Sequence, residues 1–163
     1  MSTKRMRERV PNACVVGVAR LEGRSLAFNK RSIDMSAKCN LLESATEGDF
    51  VLGVLFDVPA DEKPALDKAE ALGKGYDELA VKVVDAEGNS TDAVTYVATE
   101  TDDQLQPYPW YKRHVIEGAK EAGFDSTYIA AIEAVITIED PDVERSIREL
   151  SIYNGADRFT GLA

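Results

Sequence analysis

Apolar and polar residues follow a strand-like pattern through the first half of the chain and recur at helical spacing through the last third. A short basic segment at residues 4–9 predicts a helix. β-type runs then fall at 13–21, 25–29, 37–42 and 50–58, separated by Gly, Ser and charged residues. Residues 61–72 change character: Pro64 suits a first helical turn, Leu66, Ala69 and Leu72 share a helical period, and Gly73 and Gly75 end the run. Strands are predicted again at 76–85 and 93–99, around the turn-forming Ala-Glu-Gly-Asn-Ser at 86–90. From Trp110 the period is helical over 110–122, 126–136 and 142–150, with Gly123 and Pro141 as breaks. Strands first and helices last predict an α+β fold, a curved sheet or small barrel packed by helices.

At 163 residues, one domain spanning 1–163 is the expectation, and no repeat or linker divides it. No apolar run approaches the roughly 18 residues of a membrane span. The opening residues lack the apolar core of a secretory signal, so the cytoplasm is the expected compartment. The net charge of −10 is unevenly spread: residues 1–38 carry nine Lys/Arg against three Asp/Glu, the remainder ten against 26. No aromatic residues interleave with the basic start, so a solvated helix face is favoured over an anion-binding one, and nucleic acid is not an expected partner. Cys14 and Cys39 are too few for a disulfide framework or a zinc cage and read as reduced, packed thiols. His114 is the only histidine, which excludes Ser-His-Asp, Cys-His and poly-His metal arrangements within one copy. Its helical position predicts a surface side chain.

The stretch Leu66-Asp67-Lys68-Ala69-Glu70 followed by Ala71-Leu72-Gly73-Lys74-Gly75-Tyr76 carries the most chemistry. Leu66 and Ala69 bury one helix face, and Glu70, just before the helix end, projects toward whatever the sheet encloses. A carboxylate held near apolar walls suits general base work, and the glycines let backbone approach a ligand. On the pattern alone a solvated acid beside an ordinary turn is the commoner arrangement.

This segment resembles the Leu-Asp-x-x-Glu-Gly plus Gly-Tyr signature of the gamma-glutamyl cyclotransferase family, which has the AIG2-like fold. Val18-Ala19-Arg20-Leu21 resembles the family's early strand, and residues 32–40 resemble a drifted Asp-Gly-Ser-Gly-Lys-Ala-Asn segment. Gly48-Asp49 with Val51, Gly53, Val54 and Phe56 resembles its Gly-Asp-x-Val-x-Gly-Val strand. Pro107-Tyr108-Pro109-Trp110-Tyr111 followed by Gly118-Ala119 and Gly123 resembles its Pro-Ser-x-x-Tyr helix start and Gly-Ala continuation.

The resemblance implies a small mixed or antiparallel β-barrel flanked by helices. It also implies a cofactor-free reaction in which the α-amine of a γ-glutamyl group attacks its own γ-carbonyl, giving 5-oxoproline and a free amino acid or amine. Glu70 would be the general acid/base, and Tyr76 and Tyr111 would shape the pocket or hydrogen-bond the substrate. Arg20 and Asn40 could reach the same pocket, though turn or surface roles suit them better, and Cys39 reads as core. The family's Tyr-Gly-Ser-Asn-Leu loop binds substrate through backbone N–H groups. Met1 falls where the last residue of that loop stands, so Met1 is a substrate-side position and the first strand is expected to be missing. Ala71, Met35 and Ala37 stand where the family has glycines, and Tyr108 where it has serine. Partners are then a small γ-glutamyl molecule and, in a homodimer, a second copy. The alternative is a catalytically incomplete relative that holds a small metabolite or a protein without turnover.

Overall fold

A computed structural model describes residues 2–153. The chain opens with α1 (Thr3–Arg9), whose first turn is capped by the Ser2 hydroxyl accepting from the Arg5 N–H. β1 (Cys14–Glu22), β2 (Arg24–Arg31), β3 (Ala37–Glu43) and β4 (Phe50–Asp57) follow. α2 (Lys63–Ala69) then leads into β5 (Tyr76–Val84) and β6 (Ser90–Ala98). α3 (Pro109–Glu121), α4 (Ser126–Glu133), α5 (Val143–Leu150) and a 3-10 turn (Ser151–Tyr153) complete the order. The strand-then-helix division of an α+β fold therefore holds, with α2 shorter than its periodic run and β6 starting three residues before the expected 93.

The strands do not close into a barrel. One antiparallel sheet has the order β4-β1-β5-β6, and β2 pairs with β3 in a separate two-stranded ladder. β1 is paired with β4 from Cys14↔Asp57 to Glu22↔Phe50, with a slip between Val15 and Gly17. It meets β5 at a single register pair, Arg20↔Val84, so its first half has one flank without a ladder partner among the described residues. A barrel needs ladder bonds between its outermost strands. Here β4 and β6 border an open groove of about 710 Å³ instead.

Two apolar clusters hold the elements. Met6, Val10, Ala13 and Leu66 pack α1 and α2 against Phe56, Val58 and Tyr96, at one end of the groove. Ile116, Ala119 and Ile132 join α3 to α4 under Leu26 and Phe28 of β2. Asn40, expected at a turn or the surface, is instead 5 % exposed and ties three strands. It donates to Asn29 Oδ1 and accepts from the Ala98 N–H.

His114 is also buried, at 2 % exposure, rather than on the surface. The chain after α4 folds back over α3, placing the Tyr153 hydroxyl 2.7 Å from Nδ1 and Glu149 3.4 Å from Nε2. The Trp110 ring meets the imidazole edge-on. Nearby, Asp140 accepts from Trp110 Nε1 at 2.7 Å and from Arg145, fixing the start of α5 to α3. Cys39 is half-buried on β3, whereas Cys14, expected to be packed, is exposed at the start of β1. Among the described residues no helix is long and apolar enough to cross a membrane.

Candidate functional site

Glu70 is the C-cap of α2, and its own N–H donates to the Leu66 carbonyl at 2.9 Å. The helix cannot continue because Ala71 and Gly73 take positive φ values of 53° and 78°. The chain then folds into a tight turn, with the N–H groups of Lys74 and Gly75 both donating to the Ala71 carbonyl. Gly75 sits at a close approach. A Cβ there would lie 3.2 Å from the Glu70 carbonyl oxygen and 3.3 Å from Lys30 Nζ. The same ammonium lies 5.1 Å from the centre of the Tyr76 ring. Burial lowers the Lys30 pKa from its ordinary value, opposed by the negative charges of Asp34, Glu70 and Glu100.

The Glu70 side chain is 13 % exposed and lines the groove between β4 and β6 together with Met6, Phe56, Leu66, Val94 and Tyr96. It is not surrounded by apolar walls alone. Arg9 donates to Oε1 from the last turn of α1, and the Arg9 side chain is itself 21 % exposed. Arg9 belongs to the basic start for which a solvated helix face is the expectation. A signal for the pairing was present, because Arg9 stands three residues after Met6 and so shares the face that Met6 buries.

The two tyrosines converge on one backbone unit. The Tyr76 hydroxyl donates to the Cys39 carbonyl and the Tyr111 hydroxyl accepts from the Cys39 N–H, each at 2.9 Å. Burial raises both phenol pKa values well above ordinary; for Tyr76 the charges of Cys39 and Glu70 add to it. Both rings therefore remain neutral and hold β3 in place. Burial also pushes the Cys39 thiol up to about 11, which removes it as a nucleophile at neutral pH.

Arg20 stacks on the Phe50 ring at 3.7 Å and pairs with Glu22, away from any contact with Glu70. Lys38 donates to Asp34 and Ser36, with the rings of Tyr108, Trp110 and Tyr111 4.8–5.6 Å away, a seal between β3 and α3. Met1 lies outside the described residues. Among those residues no group of three or more His, Cys, Asp or Glu is placed to hold a metal ion.

Comparison with known proteins gives a consistent result. Residues 50–132, from β4 through α4, match the model of the AIG2-like family. Gamma-glutamylcyclotransferases of Mus musculus and Homo sapiens are each 30% identical over 139 residues, covering 82% of this chain and 72% of theirs. A solved structure described as gamma-glutamyl cyclotransferase superposes with a TM-score of 0.82 at 26% identity, covering 94% of this chain and 93% of its own.

Proposed function

The chain belongs to the AIG2-like family of gamma-glutamylcyclotransferase relatives, and from that premise we propose that it is a gamma-glutamyl cyclotransferase with Glu70 as its general acid/base. The observation that carries the reading is the position of Glu70: a carboxylate at the end of α2, reachable from the groove, followed directly by the tight turn from Ala71 to Gly75. A γ-glutamyl amino acid or amine enters with its α-ammonium toward Glu70. The carboxylate removes one proton, and the freed amine attacks the γ-carbonyl carbon to close a five-membered ring. The bond to the leaving nitrogen then breaks as Glu70 returns the proton to that nitrogen. The second proton, shed by the attacking nitrogen as it becomes the ring N–H, is taken up by the released amine, which leaves as an ammonium. The products are 5-oxoproline and a free amino acid or amine, with no cofactor in the balance.

In this reading Tyr76 and Tyr111 act indirectly. They fix β3 at Cys39 and so keep the floor beside Lys30 and Gly75 in place. The oxyanion of the tetrahedral intermediate needs N–H donors, and in the family these come from the Tyr-Gly-Ser-Asn-Leu loop, a contribution usually worth roughly 100- to 1,000-fold. On this proposal the chain works as one domain on a small γ-glutamyl molecule in the cytoplasm.

The test is release of 5-oxoproline from γ-glutamyl-alanine and from a γ-glutamyl amine. It is run on the 163-residue chain and on a form preceded by a Tyr-Gly-Ser-Asn-Leu strand. N-acetylated substrate, which has no nucleophile, must give none. Turnover of either free substrate supports the reading. A second reading, binding without turnover, is favoured by the guanidinium already seated on Glu70. It replaces the first if ligands bind and neither form releases product.

A further inference from the structure

The ion pair between Arg9 and Glu70 raises a chemical difficulty for any reaction at this site. A general base must take up the substrate's ammonium, yet a guanidinium that does not deprotonate in proteins already holds Oε1 and leaves only the other oxygen of the carboxylate for it. Neither partner can be left alone at low cost, because both side chains are mostly withdrawn from water. Whatever releases Glu70 must bring an anion for Arg9 and a cation for Glu70 together. A γ-glutamyl group does this from one carbon, which carries both the α-carboxylate and the α-ammonium.

Resting on the cyclotransferase reading, we propose that Arg9 reads the substrate's α-carboxylate by partner exchange: the guanidinium leaves Glu70 for the incoming carboxylate, and the vacated Glu70 receives the ammonium. One ion pair becomes two, and total charge is conserved. The helix need not move, since Met6 and Val10 anchor α1 at 5 % and 0 % exposure while the long Arg9 side chain lies beyond them. The planar fork of Arg also suits two-point capture of a carboxylate. Arg9 is thereby a specificity-determining residue, and a γ-glutamyl group whose α-carboxylate is capped leaves the guanidinium on Glu70. Lys30 is the competing cation. No ion-pair partner is found for it among the described residues, but its ammonium is already set against Gly75 and the Tyr76 ring.

The test is binding, by calorimetry on the full chain, of L-glutamine against L-glutaminamide, which differ only in the α-carboxylate. The wild type is expected to bind glutamine roughly 10- to 100-fold more tightly, the range of a hydrogen-bonded charge contact. In Arg9→Gln that ratio falls to about threefold or less, and in Lys30→Met it is unchanged. Circular dichroism establishes that each variant is folded. If Arg9→Gln is not, Arg9→Lys decides, because it keeps the charge and loses the fork: a reduced ratio supports the exchange and an unchanged one overturns it. The proposal is also overturned if the wild type binds both ligands alike, if it binds neither, or if Lys30→Met rather than Arg9→Gln abolishes the preference. The readout does not involve product release. A chain that discriminates but never forms 5-oxoproline refutes the catalytic reading and leaves the exchange standing.

Discussion

Replacing Tyr111 by Phe separates a structural hydroxyl from a substrate-binding one. In the structure that hydroxyl accepts from the part-buried Cys39 N–H at 2.9 Å. Deleting the oxygen leaves a backbone donor without its partner, a loss of about 1–3 kcal/mol. Unfolding entropy of about 2.1 cal/mol/K per residue gives roughly 0.34 kcal/mol/K for a chain of this length, so Tm should fall by about 3–9 °C. Tyr76→Phe removes a donor from the Cys39 carbonyl instead. That oxygen has a second lone pair, and the loss is about 0.5–1.5 kcal/mol, or roughly 1–4 °C. Thermal melts followed by circular dichroism at pH 7 measure both. The reasoning fails if Tyr111→Phe melts within about 1 °C of the wild type while KM for a γ-glutamyl substrate rises, since the hydroxyl would then belong to the substrate.

Asp140→Ala strips Arg145 and Trp110 of their shared acceptor and should destabilise the chain by about 1–3 kcal/mol, chiefly from the Trp110 N–H left unpaired, read from denaturant melts. The Arg145 hydrogen bonds hold the Asp140 carboxyl well below the usual range. Its contribution is therefore complete above the unfolded value of about 3.9 and fades only as pH falls through the lower folded value, so between pH 7 and 5 melts of the wild type should not register it. Iodoacetamide should modify exposed Cys14 in the native protein and Cys39 only after unfolding, as mass spectrometry of digests would reveal. Ala71 sits at a φ of 53°, where a Cβ is strained. Ala71→Gly should raise stability by about 0.5–1 kcal/mol, and a lower Tm would mean that the strain is not real.

The order of strands and helices was legible because each element carries its own period, and Pro64 and Pro109 mark helix starts that the structure keeps. The place of Glu70 at the end of α2, ahead of Gly73 and Gly75, was legible from the helical spacing. That pattern alone suits a solvated acid, and the resemblance to Leu-Asp-x-x-Glu-Gly is what singled it out. The burial of His114 was not, because α3 is covered by residues 140–153, and one helix's periodicity says nothing about what later folds across it. Asn40 was missed for a similar reason: its two partners lie 11 and 58 residues away. Arg9 was read as one charge in a basic run. The docking of Met6 and Val10 turns its face toward Glu70, which the three-residue spacing from Met6 allows but does not name. The barrel expectation failed at the β4 and β6 edges, where pairing depends on long-range register that local alternation does not encode.

The role of Glu70 is tested most directly by Glu70→Gln, a near-isosteric change that keeps an acceptor for Arg9 and removes the base. kcat/KM for γ-glutamyl-alanine is compared between wild type and variant, in the 163-residue chain and in the form carrying the upstream Tyr-Gly-Ser-Asn-Leu strand. The account predicts a loss of roughly 100- to 10,000-fold in whichever form is active, with circular dichroism unchanged. A glutamine variant that forms 5-oxoproline as fast as the wild type would contradict it.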